Sequence, residues 1–203
     1  MAMRFSILGT GSSGNAALLI TEGARVLVDA GFSARKLGQL LAALGESLER
    51  VDAVFLTHEH SDHCGAIEGL KKYPHLKIFA NAATARAVQA GLEYRPDWQI
   101  FQTGARFTFR DLVVESFAVP HDAQDPVGFL VRTVAGNVGF LTDLGYATKL
   151  VLERMRAAHV LLLETNHDLK LLQEDTRRPW SIKQRILSRH GHLSNDAAAD
   201  VAE

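Results

Sequence analysis

The segment Val51-Asp-Ala-Val-Phe-Leu-Thr-His-Glu-His-Ser-Asp-His-Cys-Gly65 joins a short apolar run to a dense group of side chains that can bind metal. The apolar run predicts a buried strand, and His58, His60, Asp62 and His63 follow it directly. A tight turn at a strand end lets His58 and His60 converge on one ion while Asp62 and His63 face a neighbouring position. A solvated polar turn rarely holds three histidines and an aspartate within six residues. The segment therefore predicts two adjacent metal sites in a loop.

These residues carry a family resemblance. Residues 57–63, Thr-His-Glu-His-Ser-Asp-His, resemble the His-x-His-x-Asp-His signature of the metallo-β-lactamase superfamily. The longer stretch 56–66 is similar to the WalJ/YycJ branch of nuclease-like proteins, and the resemblance extends over nearly the whole chain. It implies an α/β fold, a four-layer αββα sandwich, formed by one domain over residues 1–203 that is built from two similar halves. The zincin pattern is excluded, because the residue four positions after His58 is Asp62.

The composition indicates a globular protein from a reducing compartment. The 203 residues are 47% hydrophobic, enough for a sizeable core, and the formal net charge of −1 gives no overall attraction to nucleic acid. Cys64 is the only cysteine, so an intramolecular disulfide is excluded. No apolar run reaches membrane-spanning length, and Met1-Ala-Met-Arg4 leads into a strand pattern without a signal-peptide region. We expect a cytoplasmic protein without a membrane partner.

The glycine-rich segment Gly9-Thr-Gly-Ser-Ser-Gly14 permits two interpretations. It matches a dinucleotide-binding fingerprint, with Asp29 about twenty residues further on. That site needs a helix directly after the third glycine, whereas residues 16–21 and 26–28 favour a β-hairpin. A tight loop whose backbone N–H groups face an anionic ligand is therefore the preferred interpretation. Residues 12–15 resemble a Ser-Ser-Gly-Asn loop of the WalJ-like branch, which predicts substrate contacts for Ser13 and Asn15.

Three further residues follow apolar strands and are expected at the same edge. The resemblance gives Asp29 an orienting role behind the metal loop. His121, in Pro120-His-Asp122, is the predicted third ligand of the first ion beside His58 and His60. Asp143 is the predicted bridging ligand, which completes the second ion's set with Asp62 and His63. The alternative for Asp143, capping of a helix over residues 147–157, could hold alongside.

The last predicted strand, residues 160–163, ends in Glu164-Thr-Asn-His-Asp168. This stretch resembles the WalJ-like branch and, more loosely, the Glu-Ala-Thr motif of the tRNA 3′-processing endonucleases. In that second family the glutamate orients a histidine of a later motif, and Gly191-His-Leu-Ser194 is the counterpart here. A carboxylate that keeps a histidine protonated lets it donate to a leaving oxygen. We therefore expect His192 and Glu164 to be catalytic together with Asp62, and His167 either to line the site or to lie on a surface helix.

Residues 177–189 hold the one local concentration of basic side chains, with Trp180 among them. Such a mixture suits a phosphate backbone and a stacked base, and it also suits a solvated helix with Trp180 packed inward. The expected apolar stripe is Ile182, Ile186 and Leu187, with the cations on other faces. Arg178 and Lys183 are the predicted phosphate contacts.

Helices are predicted over residues 34–44, with Ser33 as the N-cap, over 62–73 and over 82–90. Strand pairs are predicted at 107–109 with 112–119 and at 127–133 with 138–141. The chain stops in an alanine-rich helix over residues 195–203. The superfamily has a further strand there that ends in one more histidine ligand. The expectation is a truncated C-terminal part and an incomplete ligand set for the second ion.

The predicted function is a dinuclear hydrolase of phosphodiester bonds, an exonuclease-like enzyme that acts on DNA or RNA with two divalent ions, zinc or manganese. One alternative keeps the ions and changes the substrate to a small thioester, lactone or cyclic phosphate. Two others are a dinucleotide-binding protein that uses residues 9–14, and a catalytically inactive binding module. Cys64 is expected to pack as a small residue rather than to bind metal.

Overall fold

A computed structural model describes residues 3–203. The strands are β1 Arg4–Gly9, β2 Ala16–Ile20, β3 Arg25–Val28, β4 Ala53–Phe55, β5 Lys77–Asn81, β6 Asp97–Phe101, β7 Arg106–Phe109, β8 Leu112–Ala118, β9 Val127–Thr133, β10 Gly136–Leu141 and β11 Val160–Leu163. The α-helices are α1 Ala34–Ala42, α2 Ser61–Cys64, α3 Ala82–Gln89, α4 Lys149–Met155, α5 Leu169–Glu174, α6 Trp180–Ile186 and α7 Asn195–Ala202. Short 3₁₀ helices cover Leu48–Arg50 and Ile67–Lys72.

The strands form two mixed sheets. The first has the order β1-β2-β3-β4-β5-β6, antiparallel from β1 to β3 and parallel from β3 to β6. The second has the order β11-β10-β9-β8-β7, in which only β10 and β11 are parallel. The parallel pairs matter for the site, because their carboxyl ends lie at the same edge of a sheet.

Three apolar clusters define four layers. Between the sheets, Phe55, Val114 and Phe129 belong to one buried cluster. The other face of the first sheet packs against α1 and α3 through a cluster that includes Leu37 and Val88. The other face of the second sheet packs against α4 and α7 in a cluster of its own. The predicted αββα sandwich is confirmed.

The helix predicted over residues 62–73 is wrong, because the structure divides it into α2 and the 3₁₀ helix Ile67–Lys72. A continuous helix needs the Ala66 N–H to bond to the Asp62 carbonyl. Instead the Asp62 carbonyl accepts the Asn15 N–H at 2.7 Å, and the Ala66 N–H donates to Ala30 at 2.7 Å. The metal loop is thus tied to the neighbouring loops rather than to its own helix.

Other elements match or refine the sequence expectations. Ser33 caps α1 by accepting the Lys36 N–H at 3.2 Å, as predicted. Thr148, not Asp143, caps α4, which begins at Lys149, so the capping alternative for Asp143 is wrong. Strand β6 was not predicted. It is a short edge strand with exposed positions, and its pairing with β5 is what defines it.

The glycine-rich segment leads into a strand rather than a helix. β2 begins at Ala16 and pairs with β1 and β3 in antiparallel fashion, as the hairpin interpretation predicted. The helix that a dinucleotide site requires after Gly14 is therefore missing from this part of the described chain. Across residues 3–203, the helices are each too short or too polar to cross a bilayer.

Candidate metal centre

Five strand ends deliver the polar groups of the site to one edge of the sandwich. Asp29 follows β3, His58 follows β4, His121 follows β8, Asp143 follows β10 and Glu164 follows β11. The β3–β4 and β10–β11 pairs are parallel, so their carboxyl ends are adjacent within each sheet. The packing of the two sheets then places both pairs of ends beside one another.

The first group that can hold a cation consists of His58, His60, His121 and Asp143, whose ligand atoms lie within 4.8 Å of one another. The His121 Nε2 atom is 3.3 Å from His60 Nδ1 and 3.7 Å from Asp143 Oδ2. The His58 Nε2 atom is 3.4 Å from Asp143 Oδ2. Two ligands of one tetrahedral ion, each about 2.1 Å from it, are roughly 3.4 Å apart. The spacing therefore fits a shared cation.

The second group is Asp62, His63 and Asp143. The His63 Nε2 atom is 2.8 Å from Asp143 Oδ2 and 3.6 Å from Asp62 Oδ2. Asn15 is not a ligand, but its Nδ2 atom donates to Asp62 Oδ2 at 3.3 Å and lies 3.0 Å from His63 Nε2. Asp143 thus belongs to both groups, and the structure brings together all six residues that the sequence suggested as ligands.

Partners on Nδ1 orient three of the imidazoles. His63 Nδ1 lies 2.8 Å from Asp29 Oδ2, His121 Nδ1 lies 3.1 Å from the Gly191 carbonyl, and His58 Nδ1 lies 3.0 Å from the Thr57 hydroxyl. In a neutral ring such a partner holds the proton on Nδ1 and leaves the lone pair on Nε2. In each ring it is Nε2 that faces Asp143.

The buried His58 Nε2 atom tests whether the group fits a metal. Among the described residues this atom has no hydrogen-bond partner. Burial, followed by the neighbouring His63, lowers the pKa of His58 to about 2, so the ring is neutral and Nε2 carries a lone pair. A buried lone pair without a donor is costly, and a cation would satisfy it. The residues present therefore fit a divalent metal.

The carboxylates of the site are also suited to a cation. Burial lowers the pKa of His63, but Asp29 and Asp143 outweigh it and raise the value to about 10. Burial opposes ionisation of Asp143, yet hydrogen bonds from His192 and His63 hold its pKa below the usual range. Asp143 is therefore an anion in a buried position, which requires positive charge nearby.

Asp29 supports the metal loop from a left-handed backbone conformation, with φ of 59°. Its Oδ1 atom accepts the Thr57 N–H at 2.8 Å, and its Oδ2 atom accepts the Thr57 hydroxyl at 2.8 Å and faces His63 Nδ1. The side chain is buried and ties β3 to residues 57 and 63. This geometry suits the orienting role expected for it.

His192 is held by two carboxylates next to the metal groups. Its Nδ1 atom is 2.5 Å from Glu164 Oε1 and 3.5 Å from Asp143 Oδ1. Burial opposes the charged ring, but the hydrogen bonds to Asp143 and Glu164 raise the pKa of His192 to about 10. The other oxygen of Glu164 accepts the Leu144 N–H at 3.0 Å. The three side chains also lie close enough to hold a cation, and a proton on His192 Nδ1 would likewise bridge the two carboxylates.

These groups open into a cavity of about 690 Å³. One wall is the glycine-rich loop, through Thr10, Ser12 and Asn15. Arg178 and Arg185 also line the cavity, and Asp62, Asp143 and His192 lie at its surface. The volume is typical of small-ligand sites.

Only some of the residues expected to contact the substrate line this cavity. Asn15 and Arg178 line it, whereas Ser13 is exposed outside the lining and its neighbour Ser12 takes the position. Lys183 is buried and donates to the Gln173 carbonyl at 2.8 Å, so the expectation of a phosphate contact is wrong for this residue. His167 lines an adjoining cavity of about 470 Å³, which Arg178 also lines.

The prediction that the apolar residues of α6 face inward and its cations outward is also wrong. Lys183 is buried on this helix, while Trp180 is 61% exposed and Ile182 is 43% exposed. The helix is short and lies at the protein surface, where apolar spacing does not decide which side packs. Arg185 lines the metal cavity and was not singled out from the sequence. Its place in the basic segment was the only signal for it.

Comparisons with known proteins agree with this geometry. Residues 24–203 match the family described as beta-lactamase superfamily domain. The exodeoxyribonuclease WalJ of Streptococcus pneumoniae is 37% identical over 205 aligned positions, which cover 99% of this chain and 76% of that protein. The exodeoxyribonuclease YycJ of Bacillus anthracis is 36% identical, with 98% of this chain and 76% of that protein covered.

Among solved structures, the metallo-beta-lactamase fold protein YhfI from Bacillus subtilis superimposes with a TM-score of 0.77. The match covers 100% of this chain and 82% of that one at 19% identity. It shows a shared fold.

Proposed function

The chain belongs to the beta-lactamase superfamily, in the group of the WalJ and YycJ exodeoxyribonucleases, and we propose that it hydrolyses phosphodiester bonds of DNA with two divalent ions. The observation that carries the proposal is the position of Asp143. Its Oδ2 atom is 2.8 Å from His63 Nε2, 3.4 Å from His58 Nε2 and 3.7 Å from His121 Nε2. One carboxylate oxygen among imidazoles of two groups suits a ligand that bridges two cations.

The proposed ligands are His58, His60 and His121 for one ion and Asp62 and His63 for the other, with Asp143 shared. When bound, the ions supply Lewis-acid chemistry that activates water near neutral pH and offsets charge on the phosphate. Imidazole and carboxylate ligands without a thiolate suit zinc or manganese. Cys64 donates its thiol to the Glu59 carbonyl at 3.2 Å and is in neither group.

The chain's own residues supply the proton and the orientation. His192 lies at the cavity surface and carries a proton at neutral pH, because its pKa is raised to about 10. We assign it the donation of that proton to the oxygen that leaves from phosphorus. Glu164 fixes the ring through Nδ1, and Asn15 steadies Asp62 and His63 from the glycine-rich loop.

The experiment is cleavage of end-labelled DNA by the purified chain after chelation and reloading with Zn²⁺ or Mn²⁺. We expect metal-dependent release of nucleotides from a strand end. The variant His58→Ala should abolish release, because it removes a ligand. The matched control His190→Ala changes an exposed histidine outside the ligand groups and should retain activity.

DNA that remains intact after incubation with the metal-loaded chain would contradict the proposal. Hydrolysis of thioesters or lactones by the same preparation would then favour the alternative of a small-molecule hydrolase.

A further inference from the structure

We propose that Arg185 binds the non-bridging phosphate oxygens of the DNA strand at the metal centre, and that Asp122 is the residue that positions it. This inference rests on the proposed function, because the ligand is a phosphodiester. It assigns roles to two residues that were not among the site residues expected from the sequence.

The two residues connect α6 to the metal centre. The Arg185 Nε atom donates to Asp122 Oδ2, and Asp122 Oδ1 lies 3.3 Å from His121 Nε2. Arg185 lines the cavity, and its side chain is 58% exposed. Its guanidinium is therefore separated from a candidate ligand atom by a single carboxylate.

The two terminal nitrogens of the Arg185 guanidinium are available for a ligand. Across residues 3–203, the bond to Asp122 is the one hydrogen bond formed by this guanidinium, and it uses Nε alone. The N–H groups on the two terminal nitrogens are left for another acceptor. A planar guanidinium with parallel N–H groups matches the oxygens of a phosphate in a bidentate arrangement.

The other cations of the basic segment are engaged differently. Lys183 is buried against the Gln173 carbonyl, and Arg189 lies over the Tyr146 ring with its guanidinium carbon 4.6 Å from the ring centroid. Arg178 also lines the cavity, but its Nη1 atom pairs with Asp175, on the side of the adjoining cavity. Arg185 is thus the arginine held beside the candidate ligand His121.

A stability role does not account for the pair. A partly exposed ion pair contributes only about 0–1 kcal/mol to folding. An aspartate so close to His121 Nε2 could also bind the cation itself. Its Oδ2 atom instead pairs with Arg185, and this places a positive guanidinium at the cavity surface.

The test compares Arg185→Ala, Arg185→Lys and Arg156→Ala in the metal-loaded chain. Arg156 is a matched control, since it is 79% exposed, pairs with Glu153 at 3.4 Å and lies outside the cavity lining. We expect Arg185→Ala to raise KM for a single-stranded oligonucleotide by about 10- to 100-fold, as for loss of a charge-assisted hydrogen bond. Arg185→Lys should recover only part of this loss, and Arg156→Ala should change KM less than about 2-fold.

A second readout is independent of turnover. Fluorescence anisotropy of a labelled oligonucleotide with the chelator-treated chain gives Kd over a range of salt concentrations. Arg185→Ala should reduce the slope of log Kd against log salt by about 0.7, the value for one phosphate of a single strand. A merely structural role would not change this slope.

Asp122 is tested by a double-mutant cycle. Asp122→Asn should raise Kd in the wild-type background and have no further effect in the Arg185→Ala background, because it acts through Arg185. Equal effects in both backgrounds would overturn the positioning role. If the wild type cleaves DNA while Arg185→Ala keeps its KM and salt slope, the inference fails and the proposed function stands. A wild-type chain that neither binds nor cleaves DNA overturns both.

Discussion

At the scale of single residues, the site depends on how each histidine is held. The three rings that face Asp143 through Nε2 have Nδ1 partners of three different kinds: a carboxylate, a backbone carbonyl and a hydroxyl. His192 differs, because its Nδ1 atom lies between two carboxylates. The hydroxyl beside His58 and the carbonyl beside His121 leave a lone pair on Nε2 for a cation, whereas the carboxylates beside His192 hold a proton. At His63 the carboxylates also favour a proton, which a bound cation would replace. The same side chain thus serves two chemical purposes within one cavity.

The role of His192 predicts a dependence on the leaving group. His192→Ala should lower kcat for DNA by about 10²- to 10⁴-fold, because the departing alkoxide needs a proton. For bis(p-nitrophenyl) phosphate the loss should be much smaller, since nitrophenolate leaves without one. Glu164→Gln should also lower kcat for DNA, by a smaller factor than His192→Ala. The measurement is kcat for both substrates, with metal content as the control.

Equal losses on the two substrates, with the metal content unchanged, would show that His192 does not act as the proton donor. A loss of metal in His192→Ala would instead indicate that this histidine is a ligand.

At the scale of elements, the metal loop is held by backbone bonds to two other loops. The Asn15 N–H donates to the Asp62 carbonyl at 2.7 Å, and the Ala30 N–H donates to the His63 carbonyl at 2.7 Å. Gly31 permits this approach, because a Cβ atom at that position would lie 1.6 Å from the Asp62 carbonyl oxygen. The loop after β3 therefore sets the position of α2 and with it Asp62 and His63.

Gly31→Ala should consequently disturb the site as well as the fold. We expect a loss of about 1–3 kcal/mol in the free energy of unfolding, the usual cost of overpacking, together with weaker metal binding. The matched control is Gly38→Ala in α1, where the nearest atom to the new Cβ is Leu48 Cδ1 at 3.9 Å. That change should stabilise the chain by about 0.5–1 kcal/mol. Denaturant unfolding measures both, and equal stability of the two variants would refute the close approach.

At the scale of the whole molecule, the candidate ligands come from both sheets. His58 and His63 follow β4 of the first sheet, whereas His121 and Asp143 follow β8 and β10 of the second. Bound cations would therefore join the two sheets at the edge where the sandwich opens into the cavity. Binding that occurs only in the folded chain adds to its stability.

Metal removal should therefore lower the melting temperature. At a free metal concentration 100 times Kd, each ion adds about 2.7 kcal/mol to the free energy of unfolding. We expect two ions per wild-type chain by elemental analysis, loss of both in Asp143→Ala, and loss of one in His121→Ala. Thermal unfolding should follow the same order. A single ion whose binding survives Asp143→Ala would contradict the shared carboxylate.

The sequence by itself determined most strand positions and the residue types at each strand end, and the αββα class came from the family resemblance. These are local properties, because an apolar run followed by a turn with histidine or aspartate is visible in adjacent residues, as in 53–63 and in 138–143. The resemblance to a known superfamily added which of these strand ends should meet.

Only the tertiary structure decided how the groups share space. That Asp143 faces His58, His63 and His121 together depends on the packing of two sheets, which no sequence spacing contains. The apolar pattern did not predict which side of α6 packs inward, because the orientation of a short surface helix depends on its tertiary contacts. Lys183 is buried, whereas Arg185 lines the cavity. Likewise Ser12 rather than Ser13 lines the cavity, in a loop whose end is fixed by the bond from the Asn15 N–H to the distant Asp62 carbonyl.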